Sequence, residues 1–239
     1  MKYFIVVLIG YLVSALLGQE VHQVDRTSQL KNPDPPVLRC VLDENPRMVV
    51  IDFGEGYWGA WSAVSGSLYK VWKGDVNFDG AVFTTRHGPQ PVSRGVKVVP
   101  GNPIKDNPWV LRREGIIEEY DFKWRGYSIN NNRITLNYIL IDKNKNNIEL
   151  RETPFIYKNK SNEFVLSREI KVLGNSSDTV IEWSLSNRHG DGSRVEYFDG
   201  ITQKKLSRSL GRSRTLRIPQ GESRVIEAKC LKIKKGSSL

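Results

Sequence analysis

This sequence predicts an all-β fold, an antiparallel two-sheet β-sandwich with many short strands and little helix, on three observations. Apolar and polar residues alternate repeatedly through the second half of the chain, clusters of Asn, Gly, Ser and Asp separate the alternating stretches at steady spacing, and helix signals are nearly absent. Short strands bounded by turn residues at regular intervals are the pattern of a sandwich.

In chain order, Lys2, the apolar run Tyr3 to Leu17, and the small or polar Gly18 and Gln19 have the layout of a secretory signal peptide over residues 1–18. The run is interrupted at Gly10, Tyr11 and Ser14 and falls short of the roughly 20 residues a spanning helix needs. No stable membrane span is expected after cleavage, an uncleaved anchor being the alternative, and the expected localisation is secreted or periplasmic. Residues 19–36, ending in LKNPDPP, lack apolar periodicity and read as a flexible lead-in. A single β domain is expected over 37–233, followed by a basic tail at 234–239. Within it, Asp43 to Arg47 is the one place where a short helical turn is expected.

The strands that follow are read from period two. Tyr120, Phe122 and Trp124 share a face, with Asp121, Lys123 and Arg125 on the other; Ile134, Leu136, Tyr138 and Leu140 repeat the pattern. So do Ile148 with Leu150, Phe164 with Leu166, Ile181 with Trp183 and Leu185, Val195 with Tyr197, Leu216 with Ile218, and the run from Val225 to Cys230. Between them lie NNN at 130–132, NKNN at 144–147, NKSN at 159–162 and GNSSD at 174–178, residues that turn a chain through side-chain hydrogen bonds or left-handed backbone.

The two cysteines, Cys40 and Cys230, lie near opposite ends of the expected domain. In an oxidising compartment they form a possible disulfide, stapling the first strand to the last; a buried free thiol is the alternative. The net charge of +10 suits an anionic partner. Nucleic acid is disfavoured by secretion, and the denser cluster KKLSRSLGRSR at 204–214 reads either as a solvated hairpin loop or as a contact for an acidic partner, glycan or lipid headgroup.

The densest collection of aromatics and glycines runs from Tyr57 to Gly95. Trp58, Trp61, Tyr69, Trp72 and Phe78 supply rigid faces suited to a sugar ring, and the glycines allow tight turns and close approach. Aromatic strands joined by glycine turns equally describe an ordinary sandwich core. Arg86, His87, Gln90 and Arg94 add donors for hydroxyl or carboxylate groups, while a loop-bonding structural role for His87 fits the same sequence.

Other chemistry is weaker. DVNFDG at 75–80 matches the first half of an EF-hand calcium loop, but Arg86 stands where the bidentate carboxylate belongs, so a strand ending in an Asp79–Gly80 turn is expected instead. His22, His87 and His189 give no zinc spacing, and His189 with Asp191 is a poor acid/base pair. Glu118, Glu119 and Asp121 would need carboxyls about 5 Å apart to act as a retaining glycosidase. No serine elbow, P-loop, dinucleotide fingerprint or C-x-x-C-H haem motif is present, so no catalytic residue, metal or cofactor is assigned.

The stretch from Leu38 to Gly95 resembles a leader β-sandwich domain found at the N-terminus of large secreted proteins of Bacteroidetes and planctomycete type, ahead of a quinoprotein sugar-dehydrogenase-like propeller and a c-type cytochrome domain. The similar elements are R-x-V-L-D-x-x-P-R-M at Arg39 to Met48, L-Y-K-x-W-K-G at Leu68 to Gly74, N-F-D-G-A-V at Asn77 to Val82, and H-G-P-Q-P at His87 to Pro91, with K-W-R-G-Y at 123–127 less diagnostic. Asp75 stands where a glycine is expected, and this sequence carries neither the propeller nor the cytochrome portion, so dehydrogenation and electron transfer are not carried over. The resemblance implies a module that accompanies, docks on or binds glycan for such redox enzymes, and implies no site residues.

The expected function is therefore a secreted or periplasmic non-catalytic module, with carbohydrate or glycan as the ligand class. Trp58, Trp61, Tyr69 and Trp72 would stack on sugar faces, and Arg86, His87 and Gln90 would bond hydroxyls. Docking on a separate cytochrome c or quinoprotein dehydrogenase is the first rival. A mutarotase-like or hydrolytic carbohydrate enzyme is the second.

Overall fold

The computed structural model describes residues 36–78, 90–101, 107–174, 179–185, 194–206, 214–218 and 221–231, without the side chains at 174, 179, 194, 214–216, 230 and 231. Fifteen strands and no helix occur among them: β1 (Val37–Leu42), β2 (Asn45–Gly54), β3 (Tyr57–Ser62), β4 (Leu68–Asn77), β5 (Val92–Pro100), β6 (Trp109–Arg113), β7 (Ile116–Glu118), β8 (Tyr120–Asn130), β9 (Arg133–Asp142), β10 (Asn147–Lys158), β11 (Phe164–Gly174), β12 (Thr179–Leu185), β13 (Arg194–Asp199), β14 (Arg214–Ile218) and β15 (Ser223–Leu231). They form three antiparallel sheets, in the orders β1-β2-β3-β4-β5, β13-β15-β11-β10-β9-β8 and β14-β12-β6-β7. The all-β antiparallel class is as the sequence predicts. The sheet count is three because β12 pairs with β6, a partner distant in sequence, instead of extending the sheet of its neighbour β11.

Turn chemistry sets the hairpins. Asn131 and Asn132 both take left-handed backbone, φ 47° and 59°, closing β8 onto β9 with Asn130 opposite Arg133. Two such residues make the primed turn whose twist matches paired strands. Asp43 and Glu44 do the same, φ 49° and 65°, with Leu42 opposite Asn45. This replaces the helical turn expected over Asp43 to Arg47: the local polar residues cap a two-residue hairpin, because β1 and β2 pair on either side of it.

The main core lies between the sheets. From the five-stranded sheet come Val49, Ile51, Trp61, Val71 and Val99; from the six-stranded, Leu136, Tyr138, Leu140, Leu166 and Ile170; from the four-stranded, Trp109, Leu111, Ile181 and Trp183. Each such side chain, fully buried, contributes roughly 1.5–3 kcal/mol of transfer free energy. The opposite face of the five-stranded sheet is also covered, with Leu42, Met48, Val50, Ala60, Trp72 and Val76 buried there and Leu38, Cys40, Trp58 and Tyr69 against them. Strands β4 and β5 meet through two glycines, since a Cβ on Gly74 would sit 2.0 Å from the Arg94 carbonyl oxygen and one on Gly95 2.1 Å from that of Lys73.

One buried charge pair sits at the centre of the core. Glu152, wholly buried, accepts hydrogen bonds from Trp61 Nε1 (2.9 Å), Arg168 Nε (2.6 Å) and Tyr138 OH (3.3 Å). Arg168 in turn lies over the Trp183 ring, 4.2 Å from its centroid. One ion pair thereby touches all three sheets. Burial, and then the adjacent Glu152 carboxylate, hold the Tyr138 phenol well above its ordinary range, against the opposing pull of Arg168.

Candidate functional site

The aromatic segment is divided between two packed layers. Trp61 is 0% exposed in the main core and Trp72 is 2% exposed in the outer one. Trp72 also donates to the Asp75 carbonyl oxygen at 3.0 Å. Neither ring has a face for a sugar. Trp58 is half-buried, stacks on Trp72 with centroids 6.4 Å apart and planes 16° from parallel, and donates to the Gly74 carbonyl oxygen. The physical reason is that β3 and β4 sit inside a sheet covered on both faces, so alternation sends successive aromatics into one core or the other.

Tyr69 belongs to a polar knot beside that outer core. Its hydroxyl donates to Asp43 Oδ2 at 3.2 Å, where Lys70 Nζ (2.8 Å) and Ser93 Oγ (2.7 Å) also converge, while the Ser93 backbone N–H donates to Oδ1 at 2.8 Å. Burial alone would raise the Asp43 pKa, but the donors from Lys70 and Ser93 outweigh it and hold the carboxyl below its ordinary value. Burial, reinforced by the Asp43 charge, pushes the Tyr69 phenol up to about 12. The knot pins the β1–β2 turn to β4 and β5 and leaves Tyr69 little freedom to meet a ligand.

Of the remaining predicted site residues, Gln90 is partly buried just before β5, and Arg86 and His87 lie outside the described residues, as do Asp79, Gly80, His22, His189 and Asp191. Asp75 and Asn77 fall within β4, paired with Arg94 and Val92, as the strand reading of that motif requires. Cys40 carries a free thiol, and burial, then the Asp43 charge, push its pKa up to about 11. The side chain of Cys230 is outside the described set.

The structure instead brings together an open cleft of about 430 Å³ at one margin of the sandwich. One wall is Arg39 of β1 and Arg47 of β2 with Ala63 and Val64 from the turn after β3; the other is the Phe122–Arg125 stretch of β8. Both β1 and β8 are edge strands, so the cleft opens where the two large sheets end side by side.

Local structure positions each wall. The Ser62 hydroxyl accepts from the backbone N–H groups of Val64 and Ser65, tightening the turn so that left-handed Gly66 packs onto the Phe122 ring, where a Cβ would sit 3.1 Å away. Phe122 and Trp124 each rest against Tyr138, with ring centroids 5.5 Å apart in both cases, so the second wall is braced from the core. Arg125 is the extra residue of a bulge: Trp124 opposes Tyr138 and Gly126 opposes Asn137, leaving Arg125 unpaired. Bulges re-aim a side chain, and Arg125 also borders a second depression of about 240 Å³ beside Asn137 and Glu149.

In the sequence Phe122, Trp124 and Arg125 read as strand residues, and nothing marks them, or Arg39 and Arg47, as a site. One local signal was present, since Gly126 directly after Lys123-Trp124-Arg125 marks a bulge position. No protein-family model matches this chain, and no curated protein matches it.

Proposed function

We propose that this chain is a secreted or periplasmic, non-catalytic β-sandwich module that binds carbohydrate in the cleft between β1–β2 and β8. The observation that carries the reading is the pair of braced, half-buried aromatic rings, Phe122 and Trp124, forming one wall of an open groove that is also lined by four cationic donors, Arg39, Arg47, Lys123 and Arg125. Rings held against a core present apolar area to a sugar face at little conformational-entropy loss, and guanidinium and ammonium groups supply donors for hydroxyls. Among the described residues lining the cleft there is no carboxylate or histidine, which favours binding over hydrolysis or epimerisation. The glycan reading thus moves from the Tyr57–Gly95 segment to β8.

A glycan array probed with wild type, Trp124→Ala and Trp58→Ala tests this. Loss of signal in a folded Trp124→Ala variant with retention in Trp58→Ala is expected; the reverse pattern would return the site to the aromatic segment, and silence of the wild type would remove the carbohydrate reading. In that last case, salt-sensitive co-purification with a haem protein is the result that would favour the docking role implied by the family resemblance.

A further inference from the structure

Resting on the carbohydrate reading, we infer that the cleft selects an acidic saccharide, one carrying uronate carboxylates or sulfate esters. Three strands contribute its cations: Arg39 from β1, Arg47 from β2, and Lys123 with Arg125 from β8. Lys123 lies on the outward face of β8 beside Asp121 and belongs to the rim, whereas the bulge sets Arg125 between the two depressions.

All four are exposed, and exposed cations such as Lys145, Lys160 and Lys171 also lack a carboxylate partner among the described residues; what distinguishes these four is that they line one groove. The partly buried cations Lys70, Arg112, Arg113 and Arg168 are instead matched, with Asp43 at 2.8 Å, Glu182 at 2.8 Å, Asp142 at 2.6 Å and Glu152 at 2.6 Å. Among the described residues, Arg39, Arg47, Lys123 and Arg125 have no carboxylate within salt-bridge reach. Converging like charges repel, so a groove that gathers them unneutralised favours an anion; its low-dielectric aromatic wall strengthens the attraction. Guanidinium groups match carboxylate and sulfate oxygens with paired N–H donors.

A second observation concerns a residue of the same groove. The indole N–H of Trp124, which lines the cleft, is buried with no acceptor, so this wall carries an unsatisfied donor. The ligand chemistry this geometry describes is a ring with an apolar face for Phe122 and Trp124 and an anionic substituent within reach of Arg39, Arg47 and Arg125.

The experiment is calorimetric titration of the full chain with trigalacturonate, a heparin-derived tetrasaccharide and neutral galactotriose, in wild type, Arg39→Glu, Arg125→Glu and Arg125→Lys, with thermal melts confirming that each variant is folded. One acidic saccharide is expected to bind at least about tenfold more tightly than galactotriose, and each reversal to weaken it on the order of ten- to a hundredfold, as loss of a charge-assisted hydrogen bond predicts. Arg125→Lys, which keeps the charge but loses the paired donors, should weaken binding less than Arg125→Glu, and raising salt from about 50 to about 500 mM should weaken the acidic ligand alone. Which acidic probe binds distinguishes carboxylate from sulfate. Equal binding of galactotriose, unchanged by either reversal, would overturn the acidic specificity while leaving the carbohydrate reading standing. Absence of binding to every saccharide, neutral ones included, would overturn both, and tighter capture of a single-stranded oligonucleotide than of either acidic probe would overturn the inference in favour of a different polyanion.

Discussion

Replacing Glu152 by leucine should strand a guanidinium in the middle of the fold. Arg168 is 7% exposed, its Nη2 already lacks an acceptor, and its Nε donates to Glu152 at 2.6 Å. Removing one member of a buried ion pair costs about 3–5 kcal/mol because the remaining charge stays desolvated. The same substitution orphans the Trp61 indole N–H, wholly buried, and the Tyr138 hydroxyl. Each unsatisfied buried donor adds about 1–3 kcal/mol, less whatever relaxation recovers. Summed without assuming full additivity, Glu152→Leu should lose at least about 4 kcal/mol, a large share of the 5–15 kcal/mol typical of a domain.

The double variant Glu152→Leu/Arg168→Met separates charge stranding from packing. With both charges gone, and the thioether filling the space over Trp183, the double should be more stable than Glu152→Leu alone by about 1–4 kcal/mol. Urea unfolding followed by tryptophan fluorescence and far-ultraviolet circular dichroism gives both quantities, coincident curves confirming a two-state transition. Glu152→Leu within about 1 kcal/mol of wild type, or a double variant destabilised by the sum of the singles, would refute the account of a buried pair holding three sheets together.

Trp72→Ala should lower unfolding free energy by about 3–5 kcal/mol, the range for emptying a buried aromatic site, while acidic-saccharide affinity of the folded protein stays unchanged; a folded variant that loses binding would place Trp72 in the site after all. Gly74→Ala should cost at least about 2 kcal/mol, because the new methyl meets the Arg94 carbonyl and the backbone must leave its left-handed position, φ 154°; an unshifted urea midpoint would contradict the close approach of β4 and β5. Asp43 and Asp142 have pKa values below the ordinary carboxylate value: burial opposes ionisation at both, but donors from Lys70 and Ser93 at one, and from Asn146, Arg113 and Asn144 at the other, outweigh it. Their stabilisation is fully present above the unfolded value of about 3.9 and is lost as pH falls through the lower folded values. The urea midpoint should therefore hold from pH 7 to about 5 and fall below about 4, with Asp43→Asn flattening part of that fall; a decline beginning near neutrality would count against it. Cys40, with its thiol raised to about 11, should alkylate at pH 8 about a hundredfold more slowly than an unperturbed cysteine by thiolate fraction, as read by peptide mapping in native buffer against urea; equal rates would show the thiol is not shielded.

Period two makes β8 to β12 legible, and it carries core positions as well as strands. In β10 the inward series is Ile148, Leu150, Glu152, and in β11 it is Phe164, Leu166, Arg168, Ile170. The alternation that identified these strands already places Glu152 and Arg168 at core positions. What it lacks is their pairing, which is set by β10–β11 register, Glu152 opposite Ile170 and Pro154 opposite Arg168. The β8–β9 turn was legible for a local reason, since two asparagines accept left-handed backbone with little strain. The split between cores in β3 and β4 was not, because YWGAWS presents large residues to both faces and nothing local says that the second face is covered. Arg86 and His87 fall outside the described residues, so their part in the predicted site is open to the same saccharide titration.

The cleft was illegible because it depends on two strands that no sequence proximity joins. Edge strands expose unpaired backbone groups, and charged side chains along an edge discourage another strand from adding there. Arg39 on β1 and Arg125 on β8 stand on two such edges, and a bulge at Arg125 further interrupts pairing. Edge protection alone explains cations of either strand singly; lysine with a neighbouring carboxylate would serve as well. It does not explain why these edges meet over braced rings, nor why none of the described cleft residues is a carboxylate. Protection and recognition therefore make different demands on the same positions: a charge of either sign guards an edge, whereas only a positive one would hold an acidic sugar against Phe122 and Trp124.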